Sequence, residues 1–121
     1  LPHFIVPVRD LDALGRVDLR PDLVAGLDAP GAYVIAPYQA GVVRARGFFP
    51  AYGVTEDPGT GSAAAALGIY LSDRLGDIDL EIIQGVEMKR PCHIYVRGRN
   101  GTVDVGGRCE LVLNGRLEAL P

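Results

Sequence analysis

One stretch dominates what this chain can fold into. Ser62 to Leu75 is the strongest helix signal in the sequence, with Ala63, Ala64, Ala65, Ala66 and Leu67 in succession, and these are strong helix formers. Ile69, Tyr70 and Leu71 carry apolar character around much of the circumference. A helix apolar on most sides must be covered on most sides. The rest of the chain has to supply that cover, and its patterns are mostly those of strands.

His3–Val8, Gly31–Ala36 and Val42–Phe49 read as strands before the helix, the first with Pro7 at an edge or end. Asp10 caps a short helical turn, and Pro21–Leu27 is a second short helix with proline in its tolerated first turn. Pro50–Gly61 is turn-rich. After the helix, Ile78, Leu80 and Ile82 alternate with Asp79 and Glu81. Pro91–Arg97 is a strand, followed by an Asn100-Gly101 hairpin turn. Thr102–Val105 and Arg108–Leu113 follow, then a second Asn-Gly turn at Asn114-Gly115 and a last strand over Leu117–Leu120. Strands and helices do not alternate regularly, which disfavours a doubly wound parallel sheet. The expectation is an α+β fold in which a curled, largely antiparallel sheet or barrel wraps one central buried helix.

At 121 residues the chain is sized for a single domain, 1–121. Its 48% hydrophobic content argues against disorder. A net charge of -3, with no basic run, argues against a nucleic-acid face. Arg44 and Arg46, and the Lys89-Arg90 pair, read as solvated edges. Two cysteines, Cys92 and Cys109, are too few for a disulfide framework, show no metal spacing, and read as packing residues. No stretch is long enough to span a membrane and no signal peptide is visible, so the default compartment is the cytoplasm. The start at Leu1, already close to a strand, suggests a domain cut or cleaved from a longer protein.

The chemistry concentrates at the mouth of the helix, Glu56-Asp57-Pro58-Gly59-Thr60-Gly61-Ser62. Glycines let backbone approach a ligand closely. First-turn N–H groups lack intrahelical partners, and the helix dipole adds partial positive charge there. Together these suit a carboxylate or phosphate, with Asp57 placed to meet a proton or amine on the same ligand. A plain capped start also fits these residues, with Thr60 or Ser62 as N-cap and Glu56 and Asp57 complementing the dipole. No lysine follows the Gly-Thr-Gly, so this is not a phosphate loop.

Three segments carry a family resemblance: Arg46–Pro50 as R-x-F-F-P, Glu56–Ala63 as E-D-P-x-T-G-S-A, and Leu67–Leu71 as L-x-x-Y-L. Gln84-Gly85, Met88 and Arg90-Pro91 match a Q-G-x-x-M-x-R-P stretch, and Val103–Gly107 a V-x-V-G-G element. With the opening His3–Asp10, this pattern resembles the second half of PhzF-like phenazine biosynthesis proteins, within the diaminopimelate-epimerase-like fold. The resemblance covers nearly the whole chain. It implies two similar domains, each a curled sheet around a helix, with the active site where the two helix mouths face. It implies an isomerase that moves a proton on a small carboxylate without metal or organic cofactor. By that likeness Asp57 is the catalytic residue of this chain, and Gly59, Thr60, Gly61 and Ser62 form its substrate-binding mouth.

Two departures qualify that picture. Epimerases of the fold carry a cysteine at this helix entrance, where Pro58 is nearest here. Cys92 and Cys109 lie far along the sequence, which disfavours thiol-based racemisation. No segment resembles the first domain with its acid/base glutamate, so that group is expected from a second domain or chain, or from a homodimer. A non-catalytic carboxylate-binding or interaction module is the alternative. His3 and His93 read as structural, Phe48, Phe49 and Tyr52 as core or pocket wall, and Tyr70 as core with its hydroxyl bonded.

Overall fold

The computed structural model describes residues 2–24, 26–116 and 118–119. Its elements are β1 (Phe4–Pro7), α1 (Leu11–Gly15), α2 (Pro21–Val24), β2 (Ala32–Gln39), β3 (Val42–Phe49), a 3-10 turn (Pro50–Tyr52), β4 (Val54–Asp57), α3 (Gly61–Leu75), β5 (Ile78–Gln84), β6 (Cys92–Arg99) and β7 (Thr102–Gly106). The strands form one sheet in the order β1-β2-β3-β5-β6-β7, with β4 also pairing β3.

The sheet is largely antiparallel. The pairs β2–β3, β3–β4, β5–β6 and β6–β7 run antiparallel, and β1–β2 and β3–β5 run parallel. A parallel pair needs a crossover. α1 and α2 lie in the crossover between β1 and β2, and α3 lies in the one between β3 and β5, so two such crossovers exist where the sequence showed no regular alternation. β4 is a strand that lay hidden in the turn-rich stretch: with exposed Val54 and Thr55 it has no buried apolar face to betray it.

Two apolar clusters hold the layers together. On one face, Ala63, Ala64 and Leu67 of α3 pack with Tyr33, Ala45, Phe49, Ile82, Ile94 and Val96. On the other, Leu14 of α1 packs with Val34, Ala36 and Phe48. Asp10 caps α1, accepting a hydrogen bond from the Ala13 N–H at 2.7 Å. The Asn100-Gly101 hairpin forms as read, with both residues at positive φ (50° and 73°).

The helix is packed on one side and open on the other. Ile69 is 50% and Tyr70 37% exposed. Instead of a buried, bonded hydroxyl, Tyr70 presents its ring to the Arg74 guanidinium, 3.8 Å from the centroid. The strand expected over Arg108–Leu113 does not form. Leu111, Val112 and Leu113 are 86%, 91% and 86% exposed, and no turn forms at Asn114-Gly115. Of the expected last strand, Leu117 and Leu120 lie outside the described residues, and Glu118 and Ala119 are not in a strand. Among the described residues, no helix is long and apolar enough to cross a membrane.

Candidate functional site

The site is built at a fork in the sheet. Along one edge of β3, Val42–Ala45 pairs with β5 and Gly47 and Phe49 pair with β4. The two neighbours end side by side, β5 at Gln84 and β4 at Asp57. Gln84 is fully buried between them. Its Nε2 donates to the Asp57 carbonyl at 2.6 Å and to Thr60 Oγ1 at 3.0 Å. Its Oε1 accepts from the Tyr33 hydroxyl at 2.9 Å and from the Thr60 N–H at 3.2 Å. Gly47 leaves the room for this: a Cβ there would lie 2.9 Å from Gln84 Nε2 and 3.1 Å from Thr60 Oγ1. Burial, with smaller contributions from Cys92 and Asp57, pushes the Tyr33 hydroxyl well above its usual range and keeps it a donor.

Thr60 is the N-cap of α3 by backbone geometry (φ -111°, ψ 92°), yet its side chain does not cap the helix. It donates instead to Asp57 Oδ2 at 2.6 Å. The first helical bond runs from the Ala64 N–H to the Thr60 carbonyl at 3.0 Å. The N–H groups of Gly61, Ser62 and Ala63 are therefore left without intrahelical acceptors. Gly61 and Ser62 are exposed, and Asp57 is half-buried beside them. The structure thus brings together Asp57, Gly59, Thr60, Gly61 and Ser62 as an open helix mouth, with the threonine hydroxyl turned to the aspartate rather than to the helix.

Glu56 belongs to the scaffold. Its two oxygens accept from Arg46 Nε at 2.8 Å and Nη2 at 2.9 Å. Arg46 Nη1 donates to the carbonyls of Leu14 and Val17, and the guanidinium stacks on Phe48 at 4.9 Å. This clamp ties the end of α1 to β3 and β4. Arg46 is 9% exposed, and Arg44 pairs with Glu87 at 2.7 Å, so neither arginine is a solvated edge. Both alternate positions point inward to acids that sequence proximity does not reveal.

Cys92 corrects a distance argument. Far from the helix mouth in sequence, it lies against it in space: a Cβ on Gly59 would sit 2.7 Å from Cys92 Sγ. A cleft of 490 Å³ opens there, lined by Asp57, Pro58, Gly59, Arg90, Pro91 and Cys92. Arg90 reaches it through a tight loop. Gly85 turns at φ 78°, and the Arg90 N–H closes the loop onto the Gly85 carbonyl at 2.9 Å. A side chain at Gly85 would strike the Arg90 and Pro58 carbonyls. Gln84, Arg90 and Cys92 join the site only through the tertiary structure. The Q-G and R-P elements were the signal for the first two, and nothing local marks the third.

The remaining candidates are structural. His3 packs edge-on against Phe49, with ring centroids 5.6 Å apart. His93 pairs with Glu81 at 2.6 Å. Phe48 and Phe49 are core residues at 4% exposure each, while Tyr52 is exposed. Among the described residues, no three His, Cys, Asp or Glu side chains converge as a metal site.

A mixed, curled sheet packed on a helix whose mouth carries an acid and free N–H groups defines a chain of the diaminopimelate-epimerase-like class. The family model for "Phenazine biosynthesis-like protein" matches residues 1–115, and the chain belongs to that family. It is 40% identical over 124 residues to the trans-2,3-dihydro-3-hydroxyanthranilate isomerase of Pseudomonas aeruginosa, a match covering 94% of this chain and 44% of that protein. A Bacillus anthracis phenazine biosynthesis protein of the PhzF family superposes with a TM-score of 0.65 at 25% identity, over 84% of this chain and 40% of that one. A Clostridium difficile PhzC/PhzF protein has the same fold, with a TM-score of 0.69 over 97% of this chain and 45% of the other, at 21% identity. The chain spans less than half the length of these relatives.

Proposed function

We propose that this chain supplies one wall of the active site of a cofactor-independent isomerase that shifts a proton on a small carboxylate substrate. The observation that carries the reading is the open mouth of α3, where Gly61 and Ser62 present unpaired N–H groups beside Asp57. The N–H groups and the helix dipole would hold the substrate carboxylate. Asp57 would orient the substrate or assist the proton transfer. Gly59 and Thr60 shape the approach.

The principal acid/base glutamate would come from a second domain or chain. Three of the five described glutamates are engaged within the chain, and the other two, Glu110 and Glu118, lie exposed beyond β7. Glu56 is bound to Arg46, Glu81 pairs with His93, and Glu87 pairs with Arg44. A general base must come within hydrogen-bond reach of the proton it moves, and none of these three is free to do so. The same observation favours a second reading, a carboxylate-binding module without turnover.

The test is deuterium incorporation in D2O, using trans-2,3-dihydro-3-hydroxyanthranilate, the compound in the name of the Pseudomonas relative, with the chain and whatever partner co-purifies with it. Deuterium entering a ring carbon supports the isomerase. Saturable binding with no exchange, partner present, favours the module.

A further inference from the structure

We infer that Thr60 and Gln84 are positioning residues that aim the Asp57 carboxylate, pinning Oδ2 and leaving Oδ1 as the oxygen that meets a ligand. This rests on the proposed role of Asp57 but is carried by separate geometry.

The direction of every bond in the chain Tyr33–Gln84–Thr60–Asp57 is fixed. A primary amide has one accepting end and one donating end. The Gln84 amide faces two backbone groups that cannot change roles. Its Oε1 meets the Thr60 N–H, which only donates, and its Nε2 meets the Asp57 carbonyl, which only accepts. That sets the amide orientation without appeal to its neighbours. The second Nε2 proton then goes to Thr60 Oγ1 at 3.0 Å. A threonine hydroxyl carries a single proton. With its oxygen accepting from Gln84, that proton is directed at Asp57 Oδ2, 2.6 Å away. Tyr33 completes the set by donating to Oε1 at 2.9 Å.

Asp57 is thereby held at one oxygen by a buried donor chain. Its other oxygen has only the Gly59 N–H at 3.5 Å, a contact at the limit of a hydrogen bond. Oδ1 is thus the oxygen left for a substrate proton or amine. A catalytic group must be held to within a fraction of an ångström by neighbours that are themselves fixed. Gln84, completely buried and using both ends of its amide, is such a neighbour.

The experiment compares Thr60→Val, Thr60→Ser and Gln84→Met with the wild-type chain. Two measurements are made on each, with thermal unfolding as a check on folding. In NMR, the wild type shows Gln84 side-chain NH2 protons protected from solvent exchange. Thr60→Val shifts the Asp57 13Cγ resonance and one Gln84 NH2 proton, and Thr60→Ser restores both. In turnover, Thr60→Val and Gln84→Met lower kcat by about 10- to 100-fold with little change in KM, and Thr60→Ser stays near wild type. An Asp57 13Cγ signal that is the same in wild type and Thr60→Val overturns the inference, as does wild-type kcat in Thr60→Val. A wild-type chain that shows no turnover with its partner sinks the isomerase reading alone, and the NMR comparison still decides the aiming of Asp57.

Discussion

At the scale of single residues, the helix mouth separates roles that the motif alone runs together. Glu56 and Asp57 are neighbours in sequence, yet one is bound to Arg46 and the other to Thr60. Asp57→Asn keeps an oxygen to accept from Thr60, so the fold should survive while turnover of the complete assembly is lost. Wild-type turnover in Asp57→Asn would remove the residue from the mechanism. A second residue-scale consequence concerns acid stability. Hydrogen bonds from Arg99 and then Arg97 hold Asp79 below its ordinary value of 3.8, and the Ala13 N–H does the same for Asp10. A carboxylate lowered by folding stabilises the native state above its unfolded pKa and loses that contribution as pH falls through the folded value. Urea midpoints of wild type should therefore exceed those of Asp79→Asn at neutral pH, and the gap should close below about pH 4. Asp79 is exposed, so added salt should narrow the gap. A gap independent of pH would mean the asparagine acts through something other than charge.

At the scale of elements, the Arg46 clamp decides how α1, β3 and β4 meet. Its guanidinium makes two bonds to Glu56 and reaches the carbonyls of Leu14, Gly15 and Val17, with Phe48 beneath. Removing one partner of a buried ion pair leaves the other charge uncompensated, at a cost of about 3–5 kcal/mol. Arg46→Met should lose that much stability in urea unfolding, and the double change Arg46→Met with Glu56→Met should recover a good part of it. Equal loss in the single and double variants would place the clamp's value in the Leu14 and Val17 carbonyls instead. The pairing was not legible in the sequence. The alternation of Val42–Phe49 locates the strand, but which side of it meets an acid depends on where β4 and α1 come to rest.

At the scale of the whole molecule, the sheet is open and part of the apolar surface is uncovered. Leu111, Val112 and Leu113 lie beyond β7 and pack against nothing described. Changing all three to serine should shift unfolding stability by no more than about 0.5 kcal/mol, because no buried area is lost. The same change should reduce self-association in sedimentation, since a contiguous exposed apolar run favours association. A large fall in stability would show that these residues pack in solution. Arg108–Leu113 has the composition of a strand, but a strand needs an edge to pair with, and composition does not supply one.

The sequence by itself determined the elements whose signals are local. The alanine run makes α3, Asp10 caps α1, Asn100-Gly101 turns the last hairpin, and the E-D-P-x-T-G-S-A run marks the helix mouth. Each depends on propensity, capping or φ preference within a few residues. Only the tertiary structure decided that α3 is covered on one side, that Arg46 holds Glu56, that Cys92 lies beside Gly59, and that Gln84 joins Asp57 to Thr60 across the fork. Those facts depend on strand register and on which β edge each segment reaches. Pairing energies between residues 10 to 51 positions apart fix them, and no local pattern records them.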